Sequence, residues 1–247
     1  MPVELPELET FDVLDGKFQY TCSKEDNNLT EFVRKEHIWE PWTTRIIRER
    51  VKPGMSVYDV GAAWGYFTML IADILGESRP VVAFEPNPVN REILRLNLRQ
   101  NNIKNALVMP CALSDFSGVA PLHYAIQNLG ACSLESHVRE ENFKNVSVYP
   151  LDDLCHEQVD FIKIDAEGTD YKVLLGAKKT IERSPRIQII TEYIPVFHNA
   201  NREEPFDIMD SLGLRVYYVT PAGDFEEHSD RKFYTEGGGA TLYLTHK

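Results

Sequence analysis

The sequence predicts an α/β fold built on a doubly wound, mostly parallel sheet, and three observations predict it. From residue 55 onward, apolar strand-like runs alternate with helix-length amphipathic runs. The run SVYDVGAAWGYFTMLIADIL, residues 56–75, starts as a strand, turns on Gly61 and Gly65, and continues as an apolar-periodic helix. Asp59, Glu85, Cys111 and Asp165 each stand at the end of a predicted strand, where sheets of this kind bind their ligands.

The elements follow in order. Asp15-Gly16 between alternating apolar runs predicts a hairpin in FDVLDGKFQYTC, and the stretch to Val51 reads as helix interrupted at Pro41. Residues 1–50 are expected to form an N-terminal appendage, and 51–247 the main domain. Helix 64–75 follows the first core strand. Strand 80–85 leads to a helix beginning near Pro88, with Asn87 placed as its cap. NALVMPC is the third strand. Alternation lapses from 114 to 150, where VAPLHYAI and NVSVYPL suggest extra strands. VDFIKID and RIQIITEYI are strands around the helical run TDYKVLLGAKKTIER, and a helix is expected near 204–212. LRVYYVT and GATLYLTHK close the chain as an antiparallel hairpin.

Composition narrows the function. A net charge of −12 disfavours a nucleic-acid partner, because phosphate contacts need clustered Lys and Arg. The four cysteines are scattered, so neither a zinc knuckle nor a disulfide framework is indicated. No leader-like N-terminus or long apolar run is present, and the expectation is a cytoplasmic protein without a membrane span.

The glycine turn bears on the cofactor. A dinucleotide site uses G-x-G-x-x-G so that backbone amides receive the pyrophosphate. Here the spacing is Gly61-x-x-x-Gly65, and Asp59 at the strand end would repel a pyrophosphate. A carboxylate suits a ligand with a cationic amine, such as the methionine end of S-adenosylmethionine. Glu85, 24 residues after Gly61, is placed to accept ribose hydroxyls.

The runs YDVGAAWGYFTMLIA, VVAFEPNPVNREILRLNLRQNN, CALSDFSG, NLGACSLE, YPLDDL and VDFIKIDAEGTDYKVLLGA, in that order, resemble the FkbM-type methyltransferase family over about residues 50–195. The resemblance implies a Rossmann-like class I methyltransferase with a seven-stranded sheet, using S-adenosylmethionine on a hydroxyl of a sugar or other small metabolite. It also implies that Asp59 and the turn Gly61-Ala62-Ala63-Trp64-Gly65 face the methionine end. Glu85 holds the ribose, flanked by Pro86 and Asn87, and Cys111 and Ala112 line the adenine slot. Asp165 lies nearest the transferred methyl. This chain departs from the family pattern at Ala63, where asparagine is common, at Trp64, and at Asp170, where glutamate is common.

Alcohols are poor nucleophiles, so a proton acceptor is expected among Asp165, Glu167, Glu192 and His198. Asn128 and Ser133 are candidate substrate contacts. His37, Trp39 and Glu40 are candidates for a lid over the cofactor, with Trp39 and Trp42 alternatively docking the appendage. Asp165 with Asp170 or Glu167 could begin an octahedral oxygen site, but the sequence supplies no clear third ligand, so metal is left out of the expected site. Other readings are RNA 2′-O- or protein methylation, a non-catalytic S-adenosylmethionine-binding protein, and an NAD oxidoreductase disfavoured by the glycine spacing. The acceptor's identity and the oligomeric state do not follow from the chain.

Overall fold

A computed structural model describes residues 3–125, 127–135, 142–198 and 201–247. Residues 136–141 and 199–200, within the segments expected to select the acceptor, lie outside it. The chain opens with an antiparallel hairpin, β1 (Leu8–Val13) and β2 (Phe18–Ser23), turned at Leu14 and Asp15 with positive φ. Helices α1 (Leu29–Glu36) and α2 (Pro41–Arg50) follow, with Pro41 at the first turn of α2, where its missing N–H costs nothing.

The main sheet then begins. β3 (Val57–Val60), α3 (Tyr66–Leu75), β4 (Val81–Phe84), α4 (Pro88–Gln100) and β5 (Ala106–Met109) form its first half. A second sheet takes up the irregular region: β6 (Ala112–Leu113), β7 (Gly118–Ala125), β8 (Asn128–Ser133) and β9 (Asn142–Tyr149), ordered β6-β9-β7-β8. After α5 (Leu151–Leu154), the main sheet resumes with β10 (Phe161–Ile164), α6 (Asp170–Gly176), α7 (Lys178–Glu182) and β11 (Gln188–Tyr193). A 3-10 turn (Pro195–His198), α8 (Glu204–Ser211), β12 (Leu214–Val219), β13 (Phe225–Glu226), α9 (Lys232–Thr235) and β14 (Ala240–His246) complete the chain.

The sheet order is β13-β12-β14-β11-β10-β3-β4-β5, parallel from β11 to β5 and antiparallel at β14 and β12. The order reverses between β3 and β10, which creates the crevice where ligands of such sheets bind. Strand side chains alternate between faces. Val57, Phe161 and Ile190 face one apolar cluster shared with α2, α3 and the β1–β2 hairpin. Tyr58, Ile162 and Ile189 face a second cluster with α6, α7 and α8.

Three expectations change. The sheet has eight strands rather than seven, because the short β13 adds an edge on β12. The final two strands pair, but β14 inserts between β11 and β12, with β13 and α9 in the connection. The helix expected through residue 183 breaks at Ala177. A Cβ on Gly176 would lie 1.9 Å from the Ser114 carbonyl oxygen, so the helix and β6 approach at backbone distance. Asp152 then accepts from the Lys179 and Thr180 amides at the start of α7.

Candidate functional site

The turn after β3 lies against the end of β10. Gly61 has φ +73°, and a Cβ there would lie 1.8 Å from the Asp165 carbonyl oxygen, so only glycine fits. The amides of Gly61 and Ala62 both donate to the Phe84 carbonyl, which ties the turn to β4. Ala63 also has a positive φ of 45°, and its amide donates to Glu85 Oε2 at 2.8 Å. The Asn87 amide donates to Glu85 Oε1 at 2.8 Å. Two backbone donors thus fix the Glu85 carboxylate, and each oxygen retains a further lone-pair direction. Burial raises its pKa to about 7 against those donors.

Glu85 stands at the edge of a cavity walled by Phe84, Pro86, Cys111, Ala112, Leu113 and Leu122. A second cavity shares Gly61, Ala63, Gly130 and Asp165 with the first. It adds Tyr20, Trp39, Ala62, Phe67, Lys163 and Glu167. The Asp165 side chain, 23% exposed, stands where the two spaces meet. Glu192 lines a third cavity with Trp42, Tyr218 and Thr241.

Electrostatics set the character of this region. Glu40, Asp165, Glu167, Asp170 and Glu192 interact with one another, with the buried Lys163 as the compensating cation. Burial, with Asp165 adding to it, raises Glu40 to about 7 and Asp170 to about 6. Burial and Asp165 hold Glu167 and Glu192 well above the ordinary carboxylate range. Burial works against the Lys163 charge, but Asp165, Asp59 and Glu40 outweigh it and raise the lysine. The centre therefore favours a cationic ligand, which would stabilise the ionised carboxylates. Among the described residues, no group of three or more His, Cys, Asp or Glu side chains is placed to hold a metal ion.

The other expected site residues hold the following positions. Asp59 is fully buried, accepting from Thr68 Oγ1 at 2.5 Å, with Lys163 Nζ 3.9 Å from its other oxygen. Its carboxylate lines neither of the first two cavities. Gly65 likewise caps α3 against Leu94 rather than lining a cavity. Asn87 caps α4 through Val89, and its side-chain amide donates to Cys132 Sγ. Trp64, where the chain departs from the family pattern, lies inside the core. It is buried, donating to Asn90 Oδ1 at 2.9 Å.

Ser133 is buried and bonded to the Glu167 carbonyl and the Glu135 amide, which pins the end of β8. Asn128 begins β8, with Oδ1 buried. His198 stacks on Tyr193 at 5.3 Å and meets Tyr171 edge-on. Tyr193 and Glu192 are successive strand residues and point to opposite faces. His37 caps α1 and bonds the Asp12 carbonyl, not a cofactor lid. Trp39 does line the second cavity, and Trp42 docks on β14 through Thr241.

Two residues were missed. Lys163 is a charged residue inside the apolar strand VDFIKID, a signal visible in the sequence. Tyr20 lines the second cavity from a hairpin about 40 residues before the glycine turn, and nothing local marks it.

The model of the FkbM methyltransferase domain matches residues 59–219, more than half of the chain. The chain belongs to the FkbM methyltransferase family. Solved structures of class I methyltransferases share its fold. A putative rRNA methylase from Clostridium thermocellum is 13% identical, with 82% of this chain and 92% of that one covered at a TM-score of 0.52. An rRNA methylase from Streptococcus thermophilus is 12% identical, covering 83% and 93% at 0.50. Methyltransferase FkbM from Methylobacillus flagellatus KT is 15% identical at a TM-score of 0.49, covering 81% of this chain. The present FkbM family chain spans 50% of that protein's length. No curated protein matches the chain. No helix among the described residues is long and apolar enough to cross a membrane.

Proposed function

We propose that this chain is an S-adenosylmethionine-dependent O-methyltransferase acting on a hydroxyl of a sugar or other small metabolite. The observation that carries the reading is the pair of joined cavities, one apolar with Glu85 at its edge, the other acidic, meeting at Asp165. The apolar slot suits a purine nucleoside, and Glu85 has lone pairs left for ribose hydroxyls. The second space suits a chain with a positive centre and an amine. Residues 1–50 complete that second space, and 51–247 supply the rest.

When bound, S-adenosylmethionine supplies an electrophilic methyl group on a sulfonium. The chain's own residues must hold the acceptor hydroxyl in line and take its proton. Asp165 lines both spaces and takes the proton, with Lys163 orienting its Oδ2. Glu167 and Glu192 extend the acidic wall toward the third cavity, where Trp42 and Tyr218 offer flat apolar faces to a ring-shaped acceptor. The charge of −12 supports a small acceptor over RNA.

The test is a calorimetric titration with S-adenosylmethionine and S-adenosylhomocysteine, using wild type and Glu85→Ala. Binding of both by wild type, weakened in the variant, supports the reading and leads to an acceptor screen beginning with sugar hydroxyls. Absence of binding to wild type overturns it.

A further inference from the structure

We propose that the third cavity selects an acceptor with a protonated amine beside the hydroxyl to be methylated, the ammonium held by Glu192 against the indole of Trp42. The inference rests on the reading above and deepens it, by naming the acceptor class: a vicinal amino alcohol, as in an amino sugar.

Sheet register brings the two carboxylates together. Ile164 of β10 pairs with Thr191 of β11 in a parallel ladder, so Asp165 and Glu192 follow side by side at neighbouring strand ends. Residues level with each other on adjacent strands are about 5 Å apart and point to the same face. A hydroxyl and an amine on neighbouring carbons can therefore meet one carboxylate each.

The lining of the third cavity makes Glu192 stand out. Ile194, Val219, Pro221 and Ala240 are apolar, and Glu192 is the charged residue among the described residues that line it. Trp42 is fixed beside it. The indole N–H donates to Thr241 Oγ1 at 3.1 Å, and Thr241 is the cross-strand partner of Glu192 on β14. An indole face attracts an ammonium as well as an apolar ring.

The neighbouring acids already have partners. Asp165 pairs with Lys163, and Asp170 accepts from Thr191 Oγ1 at 3.1 Å. Among the described residues, no ion pair or side-chain hydrogen bond reaches the Glu192 carboxylate. Burial, with Asp165, Glu40, Glu167 and Asp170 around it, holds Glu192 well above the ordinary carboxylate range. Ionising it is costly, and a bound cation removes that cost where a neutral acceptor does not. A metal ion is the poorer occupant, because among the described residues no group of three or more ligating side chains is placed to hold one. Asp165 takes the hydroxyl proton, while the ammonium keeps its own and serves as the anchor.

The experiment uses the full chain, wild type and Glu192→Gln, saturated with S-adenosylhomocysteine. Calorimetry compares methyl hexosaminides of gluco, galacto and manno configuration with their N-acetyl derivatives and with the parent hexosides. The same panel is then offered with S-adenosylmethionine, and the site of methylation is read by mass spectrometry. A hydrogen bond between charged groups corresponds to roughly ten- to a hundredfold in affinity. At least one free amine is expected to bind better than its N-acetyl derivative by that factor and to be methylated on oxygen. The advantage should vanish in Glu192→Gln, whose affinity for S-adenosylhomocysteine checks that it is folded. The comparison of amine with N-acetyl derivative on wild type stands even if the variant does not fold. Equal or better binding of the neutral sugars overturns the proposal, as does an amine preference that survives in the folded variant. Methylation on nitrogen, or binding of S-adenosylhomocysteine with no amine bound, overturns it too and leaves the cofactor reading standing. If wild type does not bind S-adenosylhomocysteine, the cofactor reading itself falls.

Discussion

The ammonium of Lys163 lies 3.1 Å from Asp165 Oδ2 and also donates to the Gly61 carbonyl at 3.2 Å. One buried cation thus joins the ends of β3 and β10. Its 3.9 Å approach to Asp59 makes it the counterion for two carboxylates. Replacing it leaves those charges uncompensated in a buried place. Lys163→Met is expected to destabilise the fold by about 3–5 kcal/mol, and the double variant with Asp59→Asn should recover part of that. Urea unfolding measures both. A single variant as stable as wild type would mean that Lys163 bears no such charge.

Gly61→Ala is expected to fail at the same junction. The methyl would lie 1.8 Å from the Asp165 carbonyl oxygen, at a backbone φ of +73°. Relief requires separating β3 from β10, so the loss belongs with the exceptional substitutions of more than about 4 kcal/mol. Soluble expression with a wild-type melting temperature would contradict the close approach.

Ala63 offers the opposite change. It adopts φ +45°, where alanine is strained and asparagine is better tolerated. The family resemblance places asparagine at this position, and the observed backbone supplies a reason. Ala63→Asn should leave stability unchanged or raise it by up to about 1 kcal/mol, read as a shift in the urea midpoint. A marked loss would show that the adjoining cavities have no room for the amide.

These junctions show what the sequence made legible. The alternation of strands and helices, the glycine turn and Glu85 follow from local pattern, because each is encoded within a few residues. Local pattern predicts extra strands there but not the four-stranded β6–β9 sheet, since pairing β6 with β9 joins residues some 35 positions apart. Strand-end position marks Asp59 as a site residue but does not reveal that its oxygens find Thr68 and Lys163. Tyr20 reaches the site through tertiary docking of the hairpin by Asn97, which no local motif encodes.

The buried acids give the ligand-free protein a characteristic pH response. Glu85 rises from 4.5 to about 7 on folding, Glu40 does the same, and Asp170 rises from 3.8 to about 6. The folded state therefore keeps protons that the unfolded chain has lost. Unfolding releases protons within this window, so the stabilising contribution is full below pH 4 and declines as pH rises toward about 7. The contribution of these groups to the melting temperature is expected to be greater at pH 5 than at pH 8, with the difference reduced in Glu85→Gln. A pH response identical in that variant would remove Glu85 from the account.

The proton acceptor can be separated from its neighbours by comparing three variants once an acceptor is in hand. Asp165 lines both joined cavities and has Lys163 as its partner, whereas Glu167 and Glu192 are held toward their protonated forms by burial and by Asp165 itself. Asp165→Asn is therefore expected to lower kcat by about 10²- to 10⁴-fold. Glu192→Gln should act mainly on the acceptor KM, because Glu192 lines the third cavity beside Trp42 and Tyr218. His198→Ala should leave turnover close to wild type, since its ring is committed to stacking on Tyr193 across the strand from Glu192. Single-turnover rates distinguish the chemical step from product release. If His198→Ala abolishes turnover while Asp165→Asn retains it, the proton passes to the imidazole, and the acidic centre serves only to bind a cation.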